Sequence, residues 1–149
     1  MTALSPLVFT ITEDGLPQDA RTIRENIFIE EQKFSNEFDA IDDYATHILC
    51  YMDGKLCGYA RIYPDDDKST FHLGRVCIVK ECRKMKLGSK IMNKAEEVAI
   101  KKGATKIELS AQCRVIPFYM SLGYTTEGEE YFDEWCPHIK MVKQLVSSR

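Results

Sequence analysis

The spacing of apolar residues changes period along the chain, and the changes predict its elements. Residues 76–79 place Cys77 among Val76, Ile78 and Val79, a run expected of a strand buried on both faces. From Leu87 the interval becomes helical: Leu87, Ile91, Ala95 and Val98 recur on one stripe, widened by Met92 and Ala99. This predicts a helix from near Gly88 to about Lys102, capped by Gly103. Upstream, residues 8–12 alternate as a first strand, and a helical stretch opens at Leu16-Pro17. Ala20, Ile23, Ile27 and Phe28 mark its inner face, and Glu30, Glu31 and Gln32 close it. Residues 33–44 are polar and acidic and read as a loop or short helix over one edge. Strand-like runs at 47–52 and 56–63 flank Asp53-Gly54, a hairpin signal, and a third strand covers 70–79. A strand at 106–111, a short helix at 115–122 capped by Gly123, and strands at 124–127 and 138–145 complete the pattern. The last two enclose a polar hairpin carrying Tyr131, Phe132 and Trp135. The predicted order is β-α-β-β-β-α-β-α-β-β, an α+β fold with a mixed central sheet flanked by helices, in a single domain over residues 1–149.

Charge narrows the function. The chain has 149 residues and a formal net charge of -3. Residues 1–70 hold six Lys/Arg against fourteen Asp/Glu, while residues 80–106 hold nine basic side chains against three acidic ones. A basic patch this local, in an acidic chain, suits a small polyanion better than nucleic acid. The acidic first half suits a cationic acceptor or a solvated face. Six cysteines without a C-x-x-C pair read as buried free thiols, with Cys77 and Cys113 expected in the core and Cys136 at the surface. His47 is expected to decorate a strand end. With no apolar run of about 18 residues and no signal-peptide pattern, a cytoplasmic protein without membrane association is expected. Asp65, Asp66 and Asp67 read as a solvated loop tip, and no metal is implied.

The turn between strand and helix is the expected anion site. Helix-start N–H groups lack intrahelical acceptors and carry the positive end of the macrodipole, with Arg83, Lys84, Lys86 and Lys90 around them. A phosphate fits there. The order Gly88-Ser89-Lys90 is not that of a nucleotide-binding P-loop.

Two segments then carry a resemblance. Arg83-Lys84-Met85-Lys86-Leu87-Gly88 follows its strand as the acyl-CoA loop Gln/Arg-x-x-Gly-x-Gly/Ala does, and QCRVIPFYMSLGY at 112–124 matches Asn-x-x-Ala-x-x-Leu-Tyr-x-x-x-Gly-Phe. The chain thus resembles the GCN5-related N-acetyltransferases (GNAT). Glu30-Glu31-Gln32, Gly74-Arg75-Val76, Ala111-Gln112 and Pro137-His138-Ile139 with Met141 point to the ElaA-like branch. Lys86 replaces a loop glycine, so the backbone there either avoids φ > 0 or accepts its cost; Gln112 stands where Asn is usual, and Pro117 falls inside the short helix.

The resemblance implies an acetyl-CoA-dependent N-acetyltransferase acting on a small-molecule or peptide amine, by direct attack in a ternary complex. It assigns Arg83, Lys84, Met85, Lys86, Leu87, Gly88 and Ser89 to the pyrophosphate, Cys77, Ile78 and Val79 to the pantetheine arm, and Gln112 and Phe118 to the cofactor. Tyr119 is implied as general acid toward the CoA sulfur, with a backbone N–H near Ile78 as oxyanion donor. The base is open among Glu31, His72, Arg75, Glu130, His138 and a water chain; His138 is the first choice, with Glu31, Arg75 and Glu130 toward the acceptor. A silent acyl-CoA-binding module of the same fold is the alternative, and a homodimer is left open.

Overall fold

The structure, a computed structural model, describes residues 6–145. Its elements follow the predicted order: β1 (Leu7–Thr12), α1 (Gln18–Arg24), β2 (Thr46–Met52), β3 (Lys55–Pro64), β4 (Thr70–Ile78), α2 (Leu87–Lys101), β5 (Lys106–Gln112), α3 (Ile116–Ser121), β6 (Thr125–Asp133) and β7 (Cys136–Gln144). Among the described residues the strands form one mixed sheet in the order β1-β2-β3-β4-β5-β7-β6. The β4–β5 pair is parallel, and the β1–β2, β5–β7 and β6–β7 pairs are antiparallel. The chain divides into two compact units. One holds the described residues up to Arg61 together with Arg75–Ala95; the other holds Ile62–Gly74 and the described residues from Glu96 onward.

In the first unit, Leu87 and Ile91 of α2 are buried with Cys50, Cys57 and Ala60, and Val76, Ile78, Val79, Cys82 and Met85 pack against that cluster. The helical stripe read from the sequence is the face that is buried. Gly58 lets α2 approach, because a Cβ there would overlap the Ile91 side chain. In the second unit Ile107, Tyr124 and Met141 are buried. Pro117 is accommodated in the first turn of α3, where its missing N–H removes no helical bond.

Four expectations need correction. The helix expected through Gln32 is α-helical only to Arg24; Glu25–Glu31 continues as a π-helix, with Gln32 N–H donating to Ile27 O at 2.9 Å. The expected polar hairpin is strand on both sides, since Tyr131, Phe132 and Asp133 pair with His138, Pro137 and Cys136. An irregularity between Glu127 and Tyr131, where Gly128 has φ +82°, absorbs the register shift. Cys136 is buried rather than exposed. His47 is buried too: its Nε2–H donates to Asp42 O at 2.9 Å, and Nδ1 accepts from Tyr59 Oη at 2.5 Å.

Candidate functional site

The loop ahead of α2 answers the question that its sequence posed. A 3-10 turn at Lys80–Cys82 leads into it, and Lys84 and Lys86 adopt φ of +75° and +59°. Both lysines therefore occupy the left-handed region that glycine fills at no steric cost. The loop keeps a glycine-like path and gains two cations. Ser89 Oγ donates to Lys86 O at 3.0 Å at the start of the helix. Arg83 is committed within the protein: Nη1 and Nη2 grip Glu31 at 2.8 and 2.9 Å, and Nε donates to Ile78 O at 2.9 Å. Glu31, placed by the sequence near the acceptor, thus ties the end of the π-helix to the loop. Val79 N–H donates to Cys57 O at 3.0 Å. Cys77 is buried, which pushes its thiol well above the ordinary range.

Beside this loop the first unit holds a charge cluster that sequence reasoning missed. Arg24 is fully buried; it donates to Glu37 Oε2 at 2.7 Å, to Glu37 O at 3.0 Å, and to Asp42 Oδ1 and Oδ2 at 2.6 and 3.2 Å. Its guanidinium carbon also lies 4.8 Å from the centre of the Phe38 ring. Arg61 Nη1 donates at 2.8 Å to both Asp39 and Asp42. Arg75 donates to Glu37 Oε2 at 3.1 Å and to Glu37 O at 2.9 Å. Three guanidiniums and three carboxylates share one pocket. Burial works to raise Asp39 and Asp42, but the hydrogen bonds from Arg61 and Arg24 outweigh it and hold both below the carboxylate range. Burial dominates at Glu37 and lifts it, although Arg75 and Arg24 pull the other way. Burial also lowers His47. One signal was available: Arg24 follows Ala20 by four residues and precedes Ile27 by three, on the apolar stripe.

In the second unit, Tyr119 lies on α3, with its ring edge-on to Phe118 at 5.1 Å and to Tyr124 at 6.0 Å between centroids. Tyr124 Oη donates to Glu96 at 2.8 Å, and Lys143 pairs with the same carboxylate at 2.9 Å. His138 is buried, pairs across the sheet with Gln112 and with Tyr131, and stacks on Tyr131. Its Nδ1–H donates to Cys136 O at 2.9 Å, so the neutral ring carries its lone pair at Nε2. The Tyr131 and Ser110 hydroxyls are in contact. Gln112 Oε1 accepts from Arg114 Nε at 2.9 Å. Cys113, expected in the core, is only part-buried; desolvation, with a hydrogen bond to Glu130, raises its thiol, and burial raises Cys136. These thiols are not set up as thiolate nucleophiles. Phe132 and Trp135 are exposed.

His72 stacks on Tyr63 and lies 3.8 Å from Asp65 and 3.9 Å from Glu108. These three side chains bring one ligand atom each within 4.8 Å of one another, and Glu108 is also paired with Lys106 and Lys140, each at 3.3 Å. No described helix is long and apolar enough to cross a membrane.

Comparison with known proteins agrees with this arrangement. The sequence model of the acetyltransferase (GNAT) domain matches residues 11–145. The chain is 33% identical over 129 residues to YjcF of Bacillus subtilis (strain 168), described as an uncharacterized N-acetyltransferase, covering 85% of this chain and 91% of that one. It is 31% identical over 127 residues to protein ElaA of Escherichia coli (strain K12), covering 82% and 83% of the two chains. The crystal structure of Escherichia coli ElaA superposes with a TM-score of 0.81 at 26% identity, covering 93% of this chain and 100% of that one. An acyl-CoA N-acyltransferase from Pseudomonas aeruginosa superposes with a TM-score of 0.80 at 27% identity, covering 93% and 99%. With a family match over nearly the whole chain, a shared strand order and a glycine-like loop ahead of α2, this chain belongs to the GNAT acetyltransferase family.

Proposed function

We propose that the protein transfers an acetyl group from acetyl-CoA to the amine of a small molecule or peptide, by direct attack in a ternary complex. The observation that carries this reading is the loop at 83–89. Its two left-handed lysines and the start of α2 offer backbone N–H groups and fixed positive charge to a diphosphate. The backbone of Cys77, Ile78 and Val79 lines the pantetheine arm, and the Ile78 N–H is the oxyanion donor. His138 Nε2 takes the proton from the attacking amine. The tetrahedral intermediate expels the CoA thiolate, which Tyr119 protonates. Gln112 and Phe118 complete the cofactor's surroundings, and Glu130, on the carboxylate-rich β6, attracts the cationic acceptor. The raised cysteine thiols favour direct attack over an acyl-enzyme.

Incubation of acetyl-CoA with a panel of polyamines, amino sugars and peptides is expected to release free thiol only when an acceptor amine is present. Tight CoA binding without release across the panel would leave a silent binding module instead.

Lys86→Gly separates the loop's path from its charge. Glycine relieves a left-handed conformation that costs roughly 1–2 kcal/mol. It also returns roughly 0.5–1 kcal/mol of chain entropy to the unfolded state. Stability is expected to stay within about 1 kcal/mol of wild type. CoA affinity is expected to fall at low ionic strength, with the difference shrinking as salt is added. Calorimetric titration with CoA at two salt concentrations checks this. An affinity gap independent of salt would remove Lys86's charge from the account.

A further inference from the structure

Arg75 lies inside β4 with φ +56°, a conformation that is uncommon for a side-chain-bearing residue and out of place within a strand. Its side chain is held by several contacts. Arg75 Nε reaches Glu37 Oε2 at 3.1 Å and Glu37 O at 3.3 Å, and Nη2 reaches Glu37 O at 2.9 Å, with Asp39 Oδ2 at 3.6 Å. Glu37 is itself immobilised, because Arg24 holds the same two acceptors at 2.7 and 3.0 Å and is anchored in turn by Asp42. The guanidinium of Arg75 thus shares its Glu37 acceptors with the buried Arg24.

The place of this kink matters. The β4 ladder with β5 covers Thr70–His72 and ends there. The left-handed residue follows three positions later, and Val76 then leads into Cys77, Ile78 and Val79, whose backbone groups the proposed reaction uses. A φ of the opposite sign at residue 75 would redirect the N–H and C=O vectors of that segment. Displacements of about 1 Å at a reacting centre are enough to reduce rate about 100-fold.

We propose that Arg75 is a positioning residue rather than the acceptor-side residue or base that the resemblance implies: clamped on Glu37, its side chain holds the left-handed turn in β4 that aims the Cys77–Val79 backbone, and it does so without touching the acceptor. The inference rests on the acetyl-transfer reading for its consequence, but the clamp itself can be tested in the ligand-free protein.

Two substitutions remove the same guanidinium and differ only in backbone tolerance. Arg75→Ala loses the clamp and keeps a Cβ that opposes φ > 0; Arg75→Gly loses the clamp and accepts the turn freely. Arg75→Ala is expected to lower kcat about 10- to 100-fold with the acceptor KM within about twofold, while Arg75→Gly keeps kcat within about threefold. Amide hydrogen exchange at residues 75–79 in the absence of ligand is expected to quicken in Arg75→Ala and to change much less in Arg75→Gly. Equal loss in both variants with a raised acceptor KM would mean that the guanidinium binds substrate, and full activity with unchanged exchange in Arg75→Ala would mean that no clamp is needed; either overturns the proposal. If wild type transfers no acetyl group, the functional reading fails, and the exchange comparison still decides the clamp. Because Arg75 is partly exposed, with a side-chain exposure of 25%, neither variant empties the core.

Discussion

Asp42→Asn is expected to lower the unfolding free energy by about 3–5 kcal/mol, the range for removing one partner of a buried ion network. Asp42 accepts four hydrogen bonds: from Arg24 Nη1 at 2.6 Å and Nη2 at 3.2 Å, from Arg61 Nη1 at 2.8 Å, and from its neighbour Asp39 N–H at 3.2 Å. Asparagine keeps the shape but removes the charge and turns an amide N–H toward guanidinium donors. Arg24, fully buried, and Arg61, nearly so, then share one carboxylate fewer. Urea denaturation measures the change through the transition midpoint. A midpoint within error of wild type would show that the cluster is not what stabilises this unit. Glu31→Gln is the contrast: the Arg83–Glu31 pair is solvent-exposed, so its loss is expected to cost less than about 1 kcal/mol.

The same cluster is expected to limit stability in acid. Burial lowers the folded pKa of His47 below the ordinary 6.5, so the unfolded chain takes up a proton first as pH falls. Its contribution is complete above about pH 6.5 and declines as pH drops toward the depressed value. Asp39 and Asp42, also depressed, add a second loss below 3.8. Glu37 acts in the opposite sense, since its raised pKa favours the folded form as pH falls toward 4.5.

This cluster is also where the sequence was least legible. The stripe of α2 and the turn glycines Gly103 and Gly123, at φ +99° and +95°, were readable because period and glycine report local geometry directly. Residues 33–44 were not. Their carboxylates resemble a solvated loop, and Glu37 and Asp42 are buried only because Arg24, Arg61 and Arg75 arrive from other elements. Hydropathy registers the cost of burying a charge but not the partner that offsets it. His47 was misjudged for the same reason, its partners being Tyr59, twelve residues on, and the Asp42 carbonyl. In the loop ahead of α2 the motif was legible but the conformation was not. Lysine carries no sign of the left-handed φ that Lys84 and Lys86 adopt, whereas glycine would have signalled it.

Tyr119→Phe is expected to lower kcat by about 100- to 10,000-fold, the range for removing a positioned general acid. That corresponds to about 3–5 kcal/mol of transition-state free energy. Phenylalanine retains the edge-on packing with Phe118 and Tyr124, so CoA affinity and the thermal midpoint are expected to change little. A fall in kcat with unchanged CoA affinity locates the loss in the transition state. The leaving group provides the sharper discrimination. An alkyl thiolate such as that of CoA departs more easily when protonated, whereas an acidic aryl thiol leaves as the anion. With an aryl thioacetate as donor the Tyr119→Phe defect should therefore shrink markedly, while a variant that merely misplaces the donor would lose as much with either. Equal defects with both donors would assign Tyr119 to packing and leave the proton to solvent.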